Sequence, residues 1–129
     1  MLSRYPVVKI ELRVGVKNTE DATRIKQALL NLFPDAKVEE EGNIMVGISG
    51  DARNFKDMLK NQQIRDTARQ FLGRRIRNGI LSFKLNKQAA YAGKINFAVV
   101  SHPMGEIEVK ITPEGEESID DFVEWLTEV

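Results

Sequence analysis

Hydrophobic and polar residues alternate over residues 8–16, where Val8, Ile10 and Leu12 are separated by charged residues. This period of two is typical of a β-strand with one buried face and one wet face. The same alternation recurs in five later segments: 36–41, 44–48, 81–85, 95–99 and 107–111. The pattern therefore predicts six strands.

The second and third strands are separated only by Gly42-Asn43, which predicts a hairpin. Its inner face is predicted to carry alternate residues of both strands: Ala36, Val38, Ile44, Val46 and Ile48. Turns are predicted on either side of the last strand, at residues 101–105 and 112–115.

Hydrophobic residues recur every three or four positions in four other segments, which is the spacing of an amphipathic helix. The first helix follows Asn18, a favourable cap, and stops at Pro34. Two consecutive helices are predicted on either side of a break near residues 60–63, where the hydrophobic spacing lengthens. The fourth begins at Ser118, with Asp121 as the reciprocal partner of a capping box. Residues 87–93 are predicted to add one or two helical turns.

Asn78-Gly79 has two interpretations. The pair can end the third helix, because both residues adopt left-handed backbone geometry readily. It can also form the turn of a β-hairpin. The helix end is preferred because hydrophobic residues keep helical spacing from Ile64 to Ile76.

The predicted order of elements is βαββααβββα. Strands that alternate cleanly have one wet face, so they predict an α+β fold with an antiparallel or mixed sheet and helices packed on one face. Residues 1–129 are expected to form one domain, since a chain of this length can bury a core without a metal or a disulfide.

The chain contains no cysteine, which excludes disulfides, thiolate nucleophiles and cysteine-ligated metal centres. Charged residues at Lys9, Glu11 and Arg13 interrupt the N-terminal hydrophobic residues, so no signal peptide is expected. No hydrophobic run approaches the roughly 20 residues of a membrane-spanning helix. We therefore expect a cytoplasmic protein without a membrane partner.

Charge is distributed very unevenly, although the net charge is zero. Residues 60–94, here called the basic stretch, contain nine basic side chains and one acid, Asp66, a net charge of +8. Residues 106–129, the acidic segment, contain nine acids and one base, Lys110, a net charge of −8. Such a reversal concerns partners and the surface field more than the fold. It favours binding of a polyanion through the basic stretch.

Two parts of the chain resemble a known family. One is Asn18-Thr19-Glu20-Asp21 followed by Leu30-Asn31-Leu32-Phe33-Pro34-Asp35, and the other is Leu85-Asn86-Lys87-Gln88-Ala89-Ala90 followed by Gly93-Lys94-Ile95-Asn96-Phe97. Together they resemble the archaeal uncharacterised protein family 0201 over nearly the whole chain. The resemblance implies RNA binding and a fold like that of ribosomal protein L-five, related to double-stranded-RNA-binding domains. It matches Asn86, Lys87, Gln88 and Lys94 to the family's polar motif and implies no catalytic residue.

The candidate nucleic-acid-binding residues combine the basic stretch with that motif. Arginine and lysine neutralise phosphates without reading bases, and double-stranded RNA is recognised largely by its shape. The candidates are Arg65, Arg69, Arg74, Arg75, Arg77, Lys84, Asn86, Lys87, Gln88 and Lys94. No enzyme, cofactor or metal site is expected, because His102 stands alone and no phosphate loop or nucleophile motif is present.

Other interpretations stay open alongside RNA binding. Basic and acidic side chains can simply pair with each other or cap helix ends, each contact contributing only about 0.3–1 kcal/mol. A protein-interaction or self-assembly domain, including a homodimer, would also use complementary surfaces. Trp125 belongs either to the core or to a partner surface. Stacking of single-stranded bases is disfavoured, since Tyr91 is the sole aromatic of the basic stretch outside a hydrophobic stripe.

Overall fold

A six-stranded antiparallel sheet backed by helices forms the architecture in the computed structural model, which describes residues 5–99 and 105–129. The strands are β1 (Val8–Gly15), β2 (Lys37–Glu41), β3 (Ile44–Ser49), β4 (Ile76–Arg77), β5 (Ile80–Asn86) and β6 (Glu106–Pro113). The helices are α1 (Ala22–Leu32), α2 (Arg53–Asn61), α3 (Arg65–Gly73), α4 (Lys87–Tyr91) and α5 (Ile119–Thr127). The predicted α+β class is confirmed.

The long strands β1 and β6 lie at the centre of the sheet, whose order is β2-β3-β1-β6-β5-β4. Their inward residues lie opposite each other, as in the pairs Leu12–Val109 and Val14–Ile107. β5 continues one of these rows with Phe83 opposite Val109. All five side chains are at most 4% exposed. These rows form the floor of the core, which the helices cover.

The helices bury the stripes that the hydrophobic spacing predicts. α1 buries Ile25, Ala28, Leu29 and Leu32, and α5 buries Ile119, Phe122, Val123 and Leu126. The capping box of Ser118 and Asp121 is confirmed, as is the break between α2 and α3, where Gln63 has a φ of 59°. No helix in the described part of the chain is long and apolar enough to cross a membrane.

The start of α1 differs from its prediction. Asp21, not Asn18, caps the helix, since its carboxylate accepts a hydrogen bond from the backbone N–H of Thr23 at 2.9 Å. The carboxylate of Glu20 accepts one from the backbone N–H of Lys17 at 2.7 Å, and the Glu20 N–H donates to the Lys17 carbonyl. Residues 17–20 therefore form a turn before the helix begins at Ala22.

Asn78-Gly79 forms a hairpin turn, so the preferred interpretation as a helix end is wrong. α3 ends at Gly73, and β4 pairs with β5 across the turn. Asn78 and Gly79 have φ values of 53° and 76°, the two left-handed residues that a tight hairpin requires. Ile76 keeps helical spacing from α3, but it pairs with Leu81 in the sheet instead.

Residues 95–99 do not form the predicted strand. Phe97 makes a single bridge to Leu85 along the edge of β5 that the short β4 leaves uncovered. The backbone groups of Ile95 pair instead with the Gln62 side chain, at 3.0 Å from its Nε2 and 2.7 Å from its Oε1. The observed order is thus βαββααββαβα. The turn expected at 101–105 lies, apart from Gly105, outside the described residues.

The prediction of the inner face of β3 is also wrong. The strand turns three other residues toward the core: Met45, Gly47 and Ser49. Ile48 is 47% exposed on the opposite face. The two-residue turn pairs Glu41 with Ile44, and residues paired across antiparallel strands share a face. Val38 therefore lies on the inner face of the sheet together with Gly47, and not with Ile44 and Ile48.

Candidate nucleic-acid interface

Two arginines of the basic stretch fasten the last helix. Arg65 Nη1 donates to the backbone oxygen of Glu128 at 3.3 Å, and Arg69 Nε donates to Thr127 Oγ1 at 3.1 Å. Both acceptors lie at the C-terminal end of α5, where free carbonyls and the helix dipole attract cations. Arg65 and Arg69 therefore hold α3 against α5.

Five other basic residues lie on or next to the sheet edge that β4 and residues 96–98 share, and we call them the basic edge: Arg74, Arg75, Arg77, Lys84 and Lys94. Arg75 lies beside β5, because its carbonyl accepts from the Ser82 N–H at 3.2 Å. Lys84 lies on β5, and its carbonyl accepts from Ala98. The seven residues of β5 span roughly 20 Å at about 3.4 Å each. The basic edge is thus an extended line of cations.

Local contacts orient the arginines of the basic edge. The Arg75 guanidinium carbon lies 3.6 Å from the ring centroid of Phe71, and Nη1 donates to the Phe71 carbonyl at 3.4 Å. Arg77 Nη1 donates to the carbonyls of Arg74 and Ile76 at 3.3 Å and 3.1 Å. Since a guanidinium has five N–H donors, each retains donors for another ligand.

A groove of about 600 Å³ lies on the sheet face opposite the helices, next to the basic edge. Its charged lining comes from three strands, β1, β5 and β6, and from the residues before β4: Glu11, Arg13, Arg75, Lys84, Glu108 and Lys110. Opposite charges are neighbours across the strands, as in Arg13–Glu108 and Glu11–Lys110. The lining still carries four cations against two acids. Arg13 and Lys110 are not among the candidates drawn from the charge run, although the alternation along their strands already places them on the wet face.

The polar family motif has a largely structural role in this chain. Lys87 is 1% exposed, and its Nζ lies 3.1 Å from Glu20 Oε1 and 2.9 Å from the Gly15 carbonyl oxygen. The Asn86 side chain caps α4 by accepting from the Ala89 N–H at 2.8 Å. Gln88 is exposed in the first turn of α4. Lys87 is therefore not presented to an external ligand.

Glu20 and Lys87 join the two segments that carry the family resemblance. Tyr91 of α4 donates a long hydrogen bond to Glu20 at 3.5 Å, and the Arg24 guanidinium lies 5.1 Å from the Tyr91 ring centroid. Asn31 of α1 donates to the Ala90 carbonyl at 3.0 Å. The motifs therefore build the contact between α1 and α4.

Glu20 is ionised more readily than an ordinary glutamate. Burial opposes its ionisation, but hydrogen bonds from the Lys17 N–H and from Lys87, together with both lysine charges, outweigh burial and lower the pKa of Glu20. Burial and the nearby Glu20 carboxylate raise the pKa of Tyr91. The Glu20 carboxylate is thus ionised at neutral pH.

The acidic segment leaves the arginines of the basic edge exposed or half-exposed. It contacts α3 through the hydrogen bonds of Arg65 and Arg69. It contacts α2 through one ion pair, in which Lys56 Nζ lies 3.4 Å from Glu128. Three ion pairs join described residues, and none of them includes Arg74, Arg75 or Arg77. The positive field of these three arginines is therefore not cancelled by direct pairing within that part of the chain.

Residues 5–99 and 105–129 contain no group of three or more His, Asp or Glu side chains placed to hold a metal ion. His102 lies outside the described residues. The charged surfaces described above are suited to holding an anion by electrostatic attraction and hydrogen bonds.

A family model described as RNA binding matches residues 9–112. The UPF0201 protein of Methanocaldococcus jannaschii is 36% identical over 117 residues, which cover 87% of this chain and 68% of that protein. The UPF0201 protein of Methanothermobacter thermautotrophicus is 33% identical over 121 residues, covering 92% and 89%. The chain belongs to the UPF0201 family.

The UPF0201 fold is also seen in a crystal structure at 2.2 Å resolution of the protein from Methanococcus jannaschii. That structure is 34% identical, has a TM-score of 0.81 to this chain, and the similarity covers 92% of each chain. The family resemblance drawn from the two sequence segments is therefore confirmed. The family model is described by RNA binding and not by a catalytic activity.

Proposed function

We propose that this UPF0201 protein binds RNA, without catalysing a reaction, through the basic edge. The observation that carries the proposal is the line of five cations along one sheet edge, with its arginines outside the ion pairs of the described residues. The description of the family model supports RNA as the polyanion. RNA as a partner also fits the cytoplasmic location that the sequence leads us to expect.

The basic edge suits the phosphate backbone of a duplex. Arginine neutralises phosphate and can hold two of its oxygens at once, and the counterions released provide binding free energy without base recognition. A line of roughly 20 Å can contact several phosphates of one strand. An A-form duplex would then be selected by its shape and not by its sequence.

The proposed interface differs from the candidates drawn from sequence alone. Arg65 and Arg69 act mainly by holding α5, Lys87 is buried, and Asn86 caps a helix. Gln88 stays a peripheral candidate because it is exposed. Arg13 and Lys110 join the interface from the groove beside the basic edge.

The structure favours RNA binding over the self-assembly alternative. The complementary segments meet within one chain, where α5 packs on α2 and α3. Their opposite charges therefore need no second copy to be satisfied. We do not retain a homodimer as part of the function.

We expect the double substitution Arg74→Glu with Arg77→Glu to weaken binding of a fluorescent RNA duplex at least tenfold at low salt, since it replaces two phosphate contacts with repulsion. Fluorescence anisotropy measures the affinity. The matched control is Lys26→Glu with Lys37→Glu, which changes two exposed cations by the same charge, one of them on the opposite sheet edge. Equal losses in both variants, or no duplex binding by the wild-type protein, would contradict the proposal.

A further inference from the structure

Two aromatic side chains lie side by side on the surface, outside the basic stretch. Tyr5 is 44% exposed, and its ring centroid lies 6.4 Å from that of the half-buried Trp125, at an angle of 40°. The buried Phe122 supports Trp125 from the core, with centroids 5.9 Å apart. Trp125 is thus anchored on α5, and the pair is partly open to solvent.

Two cations of α2 lie over these rings. The Arg53 guanidinium carbon is 4.5 Å from the Tyr5 centroid, and Lys56 Nζ is 4.8 Å from the Trp125 centroid. Arg53 also pairs with Asp51 at 2.7 Å, while Lys56 donates to the Trp125 carbonyl and pairs with Glu128. Each cation covers one face of its ring and is already paired with an acid, so a ligand would meet the remaining exposed aromatic surface more than net positive charge.

A smaller cleft of about 210 Å³ adjoins the aromatic pair, and Lys56 borders both. The cleft is lined by Lys56, Asp57, Lys60, Arg65, Glu128 and Val129. Three cations therefore face two acidic side chains. The arrangement is an aromatic surface next to a cleft with more cations than acidic side chains, which matches the two parts of a nucleotide.

We propose that Tyr5 and Trp125 stack on the base of an unpaired RNA nucleotide, whose phosphate lies toward the cleft of Lys56, Lys60 and Arg65. The proposal rests on RNA binding as the function and adds single-stranded RNA as a second class of ligand. Stacking requires an exposed base face, so the bases inside a duplex cannot use this site. An overhang or loop beside a duplex held on the basic edge can use it.

Trp125 reports on this site directly, because it is the sole tryptophan of the chain. We expect its fluorescence to be quenched when a single-stranded 12-nucleotide RNA saturates the protein, and not when a blunt duplex does. We expect Tyr5→Leu to weaken single-strand binding about tenfold and to leave duplex affinity within about twofold, because only the stacking surface is lost.

Tyr91→Leu is the matched control, since Tyr91 is the other tyrosine and also lies under an arginine, Arg24. Anisotropy of labelled RNA shows saturation independently of tryptophan. Unchanged Trp125 fluorescence at saturation, or equal losses in both tyrosine variants, would overturn the stacking site. Duplex binding that depends on Arg74 and Arg77 would leave the proposed function standing in that case, whereas absence of all RNA binding would remove both.

Discussion

Lys87 illustrates how strongly the role of a basic residue depends on the burial of its side chain. In the sequence it is one of nine cations in the basic stretch. In the structure it is 1% exposed and paired with Glu20 at 3.1 Å. A charge in the interior is tolerated only with a partner and hydrogen bonds, which Glu20 and the Gly15 carbonyl provide.

We expect Glu20→Gln to lower the free energy of unfolding by about 3 kcal/mol at pH 7, because it leaves the Lys87 charge buried without its partner. Urea denaturation followed by circular dichroism measures the change. Glu39→Gln on β2 is the control, since Glu39 is exposed and its replacement should change the free energy by less than about 0.5 kcal/mol.

The Glu20–Lys87 pair also predicts how the stability of the fold depends on pH. The pKa of Glu20 is lowered in the folded state. The stabilisation that the ionised carboxylate gives to the fold is therefore complete above the ordinary glutamate pKa of about 4.3, and it is lost as the pH falls through the lower pKa of the folded state. The stability difference between wild type and Glu20→Gln should therefore narrow on acidification from pH 7 to pH 3. A difference that stays constant would show that the ion pair does not stabilise the fold.

The turn between β4 and β5 is the element that sequence analysis assigned to a helix end. It depends on the left-handed backbone of Asn78 and Gly79. We expect Gly79→Ala to destabilise the protein by about 1 kcal/mol, since a Cβ at a φ of 76° is strained even though no atom lies within 4 Å.

Gly73→Ala at the end of α3 provides the comparison for that turn. Gly73 also has open space around it, but its φ is not in the left-handed region. Alanine there should be neutral or stabilise by up to about 1 kcal/mol, because it reduces the entropy of the unfolded chain. Thermal unfolding of both variants measures the contrast, and equal effects would contradict the assigned turn geometry.

Elements with a clear hydrophobic period could be predicted from sequence, while those decided by distant partners could not. Strands β1 and β6 and the buried stripe of α5 follow their hydrophobic patterns closely. The two-residue β4 is too short to show any period, and Ile76 fits both a helix and a strand. The face of β3 was determined by pairing with its neighbours, not by its own isoleucines.

The candidate site shows the same division. The charge run drew attention to Arg74, Arg75 and Arg77, which the structure leaves exposed or half-exposed, and their role in binding stays a prediction. Nothing local in the sequence indicated that Arg65 and Arg69 would bind the end of α5, more than 55 residues away. Burial and long-range contacts separate structural cations from those available to a ligand.

At the scale of the whole molecule, both ends of the charge reversal along the chain present exposed charges. The basic edge follows one side of the sheet, whereas exposed acids of the acidic segment include Glu114, Asp120 and Glu124. A polyanion would be attracted by the first surface and repelled by the second. The uneven field would therefore orient an approaching RNA before contact.

The salt dependence of duplex binding tests the account most directly. The logarithm of the binding constant should fall linearly with the logarithm of salt concentration, with a slope of magnitude near one for each phosphate neutralised. For Arg74→Ala with Arg77→Ala, we expect a slope smaller in magnitude by about two than that of the wild-type protein, at every duplex sequence tried. An unchanged slope in the variant, or no binding by the wild-type protein even at low salt, would contradict RNA recognition through the basic edge.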